Sequence, residues 1–82
     1  MSFSSHRRLT LDSTLPLSHR ASHARSCAVV VCEKWRVERS VVIEAVRQRC
    51  GVDLMAVKNG EELILAMQVL EDLRFNGLGE TG

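Results

Sequence analysis

The sequence predicts a small, mainly α domain, with helices over about 36–50 and 60–75. Three observations carry that expectation. Apolar residues recur at helical spacing in two segments. Each of those segments has a start or stop signal at a boundary. The chain has 82 residues, too few for more than one domain. The folded part is expected over 27–76, with a disordered basic tail at 1–26 and a frayed end at 77–82.

Residues 1–26 hold seven Ser, three His and four Arg (Arg7, Arg8, Arg20, Arg25) against the single acid Asp12. Leucines are scattered, and Pro16 stands in the middle. That composition buries too little apolar area to offset its ordering entropy, so disorder is expected. It is also the composition of an organelle transit peptide, the alternative to a cytoplasmic chain with a floppy tail.

Cys27 to Cys32 is a short Val-rich run that suits a buried strand or the start of a buried helix. Its β-branched content favours a short strand at 28–32. In the next segment Val42, Val46 and Cys50 recur at i, i+4 and i+8, while Arg36, Ser40, Glu44 and Arg47 line the other side. This is an amphipathic helix, and Gly51 follows it as a left-handed C-cap. Residues Val52 to Lys58 fit a strand by alternation and a short helix by the Leu54–Val57 spacing.

The clearest element comes last. Asn59, Gly60, Glu61 and Glu62 form a capping box, in which Asn59 caps the first turn and Glu62 reaches back to the cap amide. The early glutamates suit the positive end of the helix dipole. Leu63, Met67 and Leu70 then share one face, widened by Ile64, Ala66 and Leu73, and Asn76-Gly77 stops the helix.

Composition removes several function classes. The net charge is +1, but it hides a gradient. Residues 1–26 carry +3, residues 27–58 carry +2 and residues 59–82 carry −4. One Trp, two Phe and no Tyr leave no base-stacking platform for single strands. Three cysteines, Cys27, Cys32 and Cys50, read as free thiols in a reducing compartment. No apolar run approaches a membrane span. A core this small leaves no room for a buried catalytic cleft, and Glu61 and Glu62 point some 100° apart on their helix, so no enzyme is expected. It is also marginal alone, so self-association or a protein partner is expected through Leu63, Met67 and Leu70.

His19, His23, Cys27 and Cys32 are zinc-ligand types, with three, three and four residues between them. Paired knuckles are missing, so no metal or cofactor is expected and the histidines read as solvated. Lys34, Arg36, Arg39, Arg47, Arg49 and Lys58 cluster around the first helix, interrupted by Glu33, Glu38, Glu44 and Asp53. This patch reads either as a phosphate-contacting surface or as an ordinary solvated face.

Two resemblances bear on that choice. Val42 through Lys58, with its helix, Gly51-Val52 turn and Leu54 to Lys58 segment, resembles the start of the C-terminal DNA-binding domain of the bacterial replication initiator DnaA. Glu62 through Leu73 resembles that domain's long central helix. The resemblance implies a helix-turn-helix type of fold and weak, sequence-independent duplex DNA binding, with Arg39, Arg47, Arg49 and Lys58 on phosphates. The family's basic loop is shortened here to Asn59-Gly60-Glu61, and its later base-reading helix has no counterpart. Gly51 through Leu63, with Val29 to Val31, is similar instead to part of a response-regulator receiver domain. That implies a βαβα half of an α/β fold lacking the phosphoacceptor strand, and an interaction module or homo-oligomer without phosphorylation. The favoured expectation is a small non-enzymatic DNA-associated or regulatory protein. A short helix at Val52–Lys58 supports that reading, and a strand there supports the interaction module.

Overall fold

The computed structural model describes residues 2–78. It contains four α-helices: α1 Phe3–Thr10, α2 Leu17–Trp35, α3 Arg39–Cys50 and α4 Gly60–Asn76. No strand occurs among the described residues, so the mainly helical expectation holds and the receiver-like alternative falls. Among the described residues no helix is long and apolar enough to cross a membrane. Gly77 and Leu78 form a turn after α4, and the rest of the expected frayed end, 79–82, lies outside the described residues.

Helix α2 packs against all three others, and α3 also lies against α4. Its inner face is made of Ala21, Ala24, Ala28 and Val31 at i, i+3, i+7 and i+10, widened by Cys27 and Cys32, all buried. Small side chains let neighbouring helices come close while losing little rotamer freedom. Phe3 and Thr10 of α1, Val42 and Val46 of α3, and Leu63, Ala66, Met67, Leu70 and Leu73 of α4 fill the space around that face. Val52 and Leu54 close the core from the α3–α4 link.

Two expectations are corrected here. Residues 1–26 are not a disordered tail: they form α1 and the first half of α2, and Phe3, Thr10, Ala21 and Ala24 lie in the core. The Ser, His and Arg residues that dominate the composition sit mainly outside, while alanines carry the burial. Residues 28–32 are not a strand but the middle of α2. Packing on two sides outweighs the β preference of Val29 to Val31.

The boundaries have local causes. Ser2 caps α1 by accepting from the Ser5 amide at 3.2 Å. Asp12 shapes the α1–α2 link, accepting from the Thr14 amide at 2.9 Å and its hydroxyl at 2.6 Å. Pro16, φ −60°, stands where a missing N–H is harmless, directly before α2. Helix α2 ends at Arg36, which is left-handed at φ 57°, ψ 47°. The Val37 amide then bonds the Cys32 carbonyl at 3.1 Å. That turn delays α3 to Arg39 and not 36. Gly51, φ 77°, is the C-cap of α3 as expected.

Asn59 accepts from the Glu62 amide at 2.9 Å, as the capping box requires. The Glu62 carboxylate, however, takes the Lys58 amide at 2.8 Å, one residue before the cap. The segment Val52–Lys58 is neither strand nor helix. Asp53 folds it into a turn, accepting from the Met55 amide with its side chain at 2.9 Å and from the Ala56 amide with its carbonyl at 2.9 Å.

Two substitutions check this packing. A non-glycine left-handed residue costs about 1–2 kcal/mol, and glycine forfeits roughly 0.5–1 kcal/mol of that in the unfolded chain. Arg36→Gly is therefore expected to stabilise the fold by about 0.5–1 kcal/mol, raising the melting midpoint by roughly 2–8 °C in calorimetry. Leu70→Asp places an unpaired charge in the core and is expected to remove the cooperative transition, since its cost approaches the whole stability of a small domain. Ile64→Asp on the exposed side of α4 should change stability by less than about 0.5 kcal/mol.

Candidate functional site

The residues expected to meet a partner do not face outward. Leu63, Met67 and Leu70 are all buried within the chain's own core, where α2 and α3 pack against α4. The apolar side chains that α4 does expose are Ile64, Leu65 and Phe75.

The four candidate phosphate contacts, Arg39, Arg47, Arg49 and Lys58, are exposed. Two of them are occupied. Arg47 grips Glu44 with two bonds, Nε–Oε1 at 2.9 Å and Nη2–Oε2 at 2.6 Å. With Gln48 also donating, the Glu44 carboxyl is held down to about 2. Arg49 bonds Asp72 at 2.7 Å, and bonds from Asn76 and Arg49 lower the Asp72 carboxyl. Among the described residues Arg39 and Lys58 form no ion pair. Arg39 and Arg47 stand about 12 Å apart along α3, at 1.5 Å per residue.

A different cluster assembles where α2 and α4 end. Trp35, the last residue of α2, donates its indole N–H to the Leu73 carbonyl at 2.8 Å. Lys34 donates to the Arg74 carbonyl. These bonds, with the Gly77 amide on Leu73, satisfy carbonyls that the end of a helix leaves open. The Lys34 ammonium lies 5.1 Å from the Trp35 ring centre and 5.8 Å from that of Phe75. The Arg74 guanidinium lies 4.6 Å from the Phe3 ring and 5.2 Å from Phe75. Phe3 is buried, but Phe75 is 68% exposed and Trp35 38%. Sequence reasoning missed this cluster. The available signal was that Lys34-Trp35 and Arg74-Phe75 each put a cation beside an aromatic, in a chain with three aromatics in all.

The α1–α2 seam carries a second constellation. His6 and His23 face each other with Nδ1 atoms 2.9 Å apart and ring centres 5.2 Å apart, and both are half-buried. Cys27, one turn beyond His23, directs its thiol at the Phe3 carbonyl 3.8 Å away. Burial pushes that thiol up to about 12, and burial also raises Cys32, so neither is a poised nucleophile. Among the described residues no three potential metal ligands are gathered, His19, His23, Cys27 and Cys32 included. No protein-family model, curated protein or solved structure matches the chain.

Partial burial and the neighbouring His23 hold His6 below its ordinary value of 6.5. The unfolded chain therefore takes up this proton first. The fold keeps its full stability above the unfolded value and loses some as pH falls through 6.5 toward the lower folded value. Carboxylates stay ionised across that window, so His6 dominates the change. Urea midpoints should be lower at about pH 5.5 than at about pH 7.5, and His6→Gln should narrow the gap. Equal midpoints in the wild type would contradict this reading.

Proposed function

We propose that the chain is a non-enzymatic protein-interaction module whose contact surface is the aromatic, cationic end formed by Lys34, Trp35, Arg74 and Phe75. The observation that carries this reading is Phe75, which remains 68% exposed with two cations beside its ring. Single exposed apolar residues are ordinary, but two aromatics grouped with Lys and Arg are not. Trp and Arg are enriched among residues that dominate interface energies, and aromatics are enriched at interface cores. The cations select a partner segment that is acidic as well as apolar. Duplex DNA is the rival partner. It is less well supported, because Arg47 and Arg49 are already engaged by carboxylates and only Arg39 and Lys58 remain for phosphates.

Trp35 is the only Trp of the chain, so its emission reports on this surface directly. Titration with an acidic amphipathic peptide of Leu, Glu and Ala should give a saturable change. Phe75→Ser should weaken binding about tenfold, a loss of about 1.4 kcal/mol, with an unchanged melting midpoint. Equal affinity of wild type and Phe75→Ser, or no response to the peptide, would refute the assignment. Binding of random duplex DNA with a log–log salt slope of roughly −2, removed by Arg39→Ala with Lys58→Ala, would restore the phosphate-contacting reading.

A further inference from the structure

We infer that His6 and His23 form a two-histidine site for a divalent metal of tetragonal preference, Ni(II) or Cu(II), that fastens α1 to α2. The spacing of the two donors selects the metal. Histidine–metal bonds are about 2.0–2.1 Å, so nitrogens 2.9 Å apart subtend about 90° at a shared metal. A tetrahedral ion would need them about 3.3–3.4 Å apart at the same bond lengths. Neighbouring positions of a square-planar or octahedral ion match that separation once both rings turn from each other toward a shared metal. The rings are half-buried, which leaves the outer coordination positions to water.

Both donors are held by buried neighbours on rigid elements. Phe3 and Thr10 are buried on either side of His6 along α1, and the Thr10 hydroxyl bonds the His6 carbonyl at 2.8 Å. Ala24 and Cys27 are fully buried beside His23 on α2. The pair spans 17 positions of sequence, so only the folded chain brings it together. The nearby thiol does not compete: Cys27 is protonated at neutral pH and directed at the Phe3 carbonyl. Site and ligands are thus neutral imidazoles and water, which predicts micromolar affinity and no preference for soft ions.

The protons balance. Two neutral imidazoles can meet Nδ1 to Nδ1 only if one ring carries its proton on Nδ1 and donates it to the other. When both lone pairs turn to the metal, that proton moves to Nε2 of its own ring. No proton is released overall from the neutral pair.

Ni(II) is the suitable probe, because thiols do not reduce it. Calorimetric titration of the full chain should show one equivalent bound in the micromolar range. His6→Ala and His23→Ala should each weaken binding at least tenfold, and His19→Ala by less than twofold. Unfolding the wild type in urea should abolish the tight site, a readout that does not depend on any variant folding. Ni(II) should also raise the melting midpoint of the wild type and not that of His6→Ala, since binding then acts only on the native state. The assignment is overturned if His19→Ala weakens binding as much as His23→Ala, which would place the metal on α2 alone. It is equally overturned if His6→Ala binds like the wild type, if the site survives in urea, or if no saturable binding occurs.

Discussion

The close approach of three helices to the small-residue face of α2 is the constraint on which everything else depends. Ala21, Ala24, Cys27 and Ala28 offer little side-chain volume, so each neighbour is positioned by how near its own larger residues can come. The flanks of α2 then reach outward. Arg20 donates to the Thr10 carbonyl at the end of α1, Arg25 to the Leu54 carbonyl in the α3–α4 link, and Lys34 and Trp35 to carbonyls at the end of α4. Three of these donors come from cations, and two of those meet helix C-termini, where the dipole favours positive charge. The same helix therefore supplies both the packing surface and the bonds that close the ends of its neighbours. The Arg20 guanidinium that bonds Thr10 also lies over the start of α4, where a Cβ at Gly60 would stand 3.0 Å from its Nη1.

How much of this was legible varies sharply along the chain. Helix α4 was readable nearly residue for residue, because Asn59, Glu62 and Gly77 act locally and its core face is made of large apolar side chains. The C-terminus of α3 was equally plain at Gly51. Its start was not, because nothing in the type of Arg36 announces a left-handed conformation. Helices α1 and α2 were missed for a different reason. A face built from alanine and cysteine gives a faint hydrophobic signal, and the Ser, His and Arg residues around it resemble a disordered composition. The spacing of Ala21, Ala24, Ala28 and Val31 after Pro16 was the usable clue. The His6–His23 pair and the Trp35–Phe75 cluster are products of tertiary packing, so no local pattern could have paired their members.

The charge gradient of the sequence has a structural answer. The basic N-terminal third and the acidic α4 meet: Arg7 pairs with Glu71, and Arg49 of α3 pairs with Asp72. Exposed pairs of this kind each contribute little. Their larger effect is on the outer field, since they remove both signs from the surface together. Lys34 and Arg74 stay outside these pairs, where α2 and α4 terminate next to the exposed aromatics.

The order of the helices also sets the order in which the core can be completed during synthesis. Five of its buried side chains lie on α4, the last of the four described helices. At roughly 5–20 residues per second, the 17 residues of α4 take about one to three seconds to appear. Through that interval the nascent chain holds α1, α2 and α3 with one side of α2 uncovered. The buried face of α2 is mostly Ala and Cys, so the part left uncovered is only a shallow apolar strip. A face of large side chains would have left a far stickier nascent chain over the same seconds.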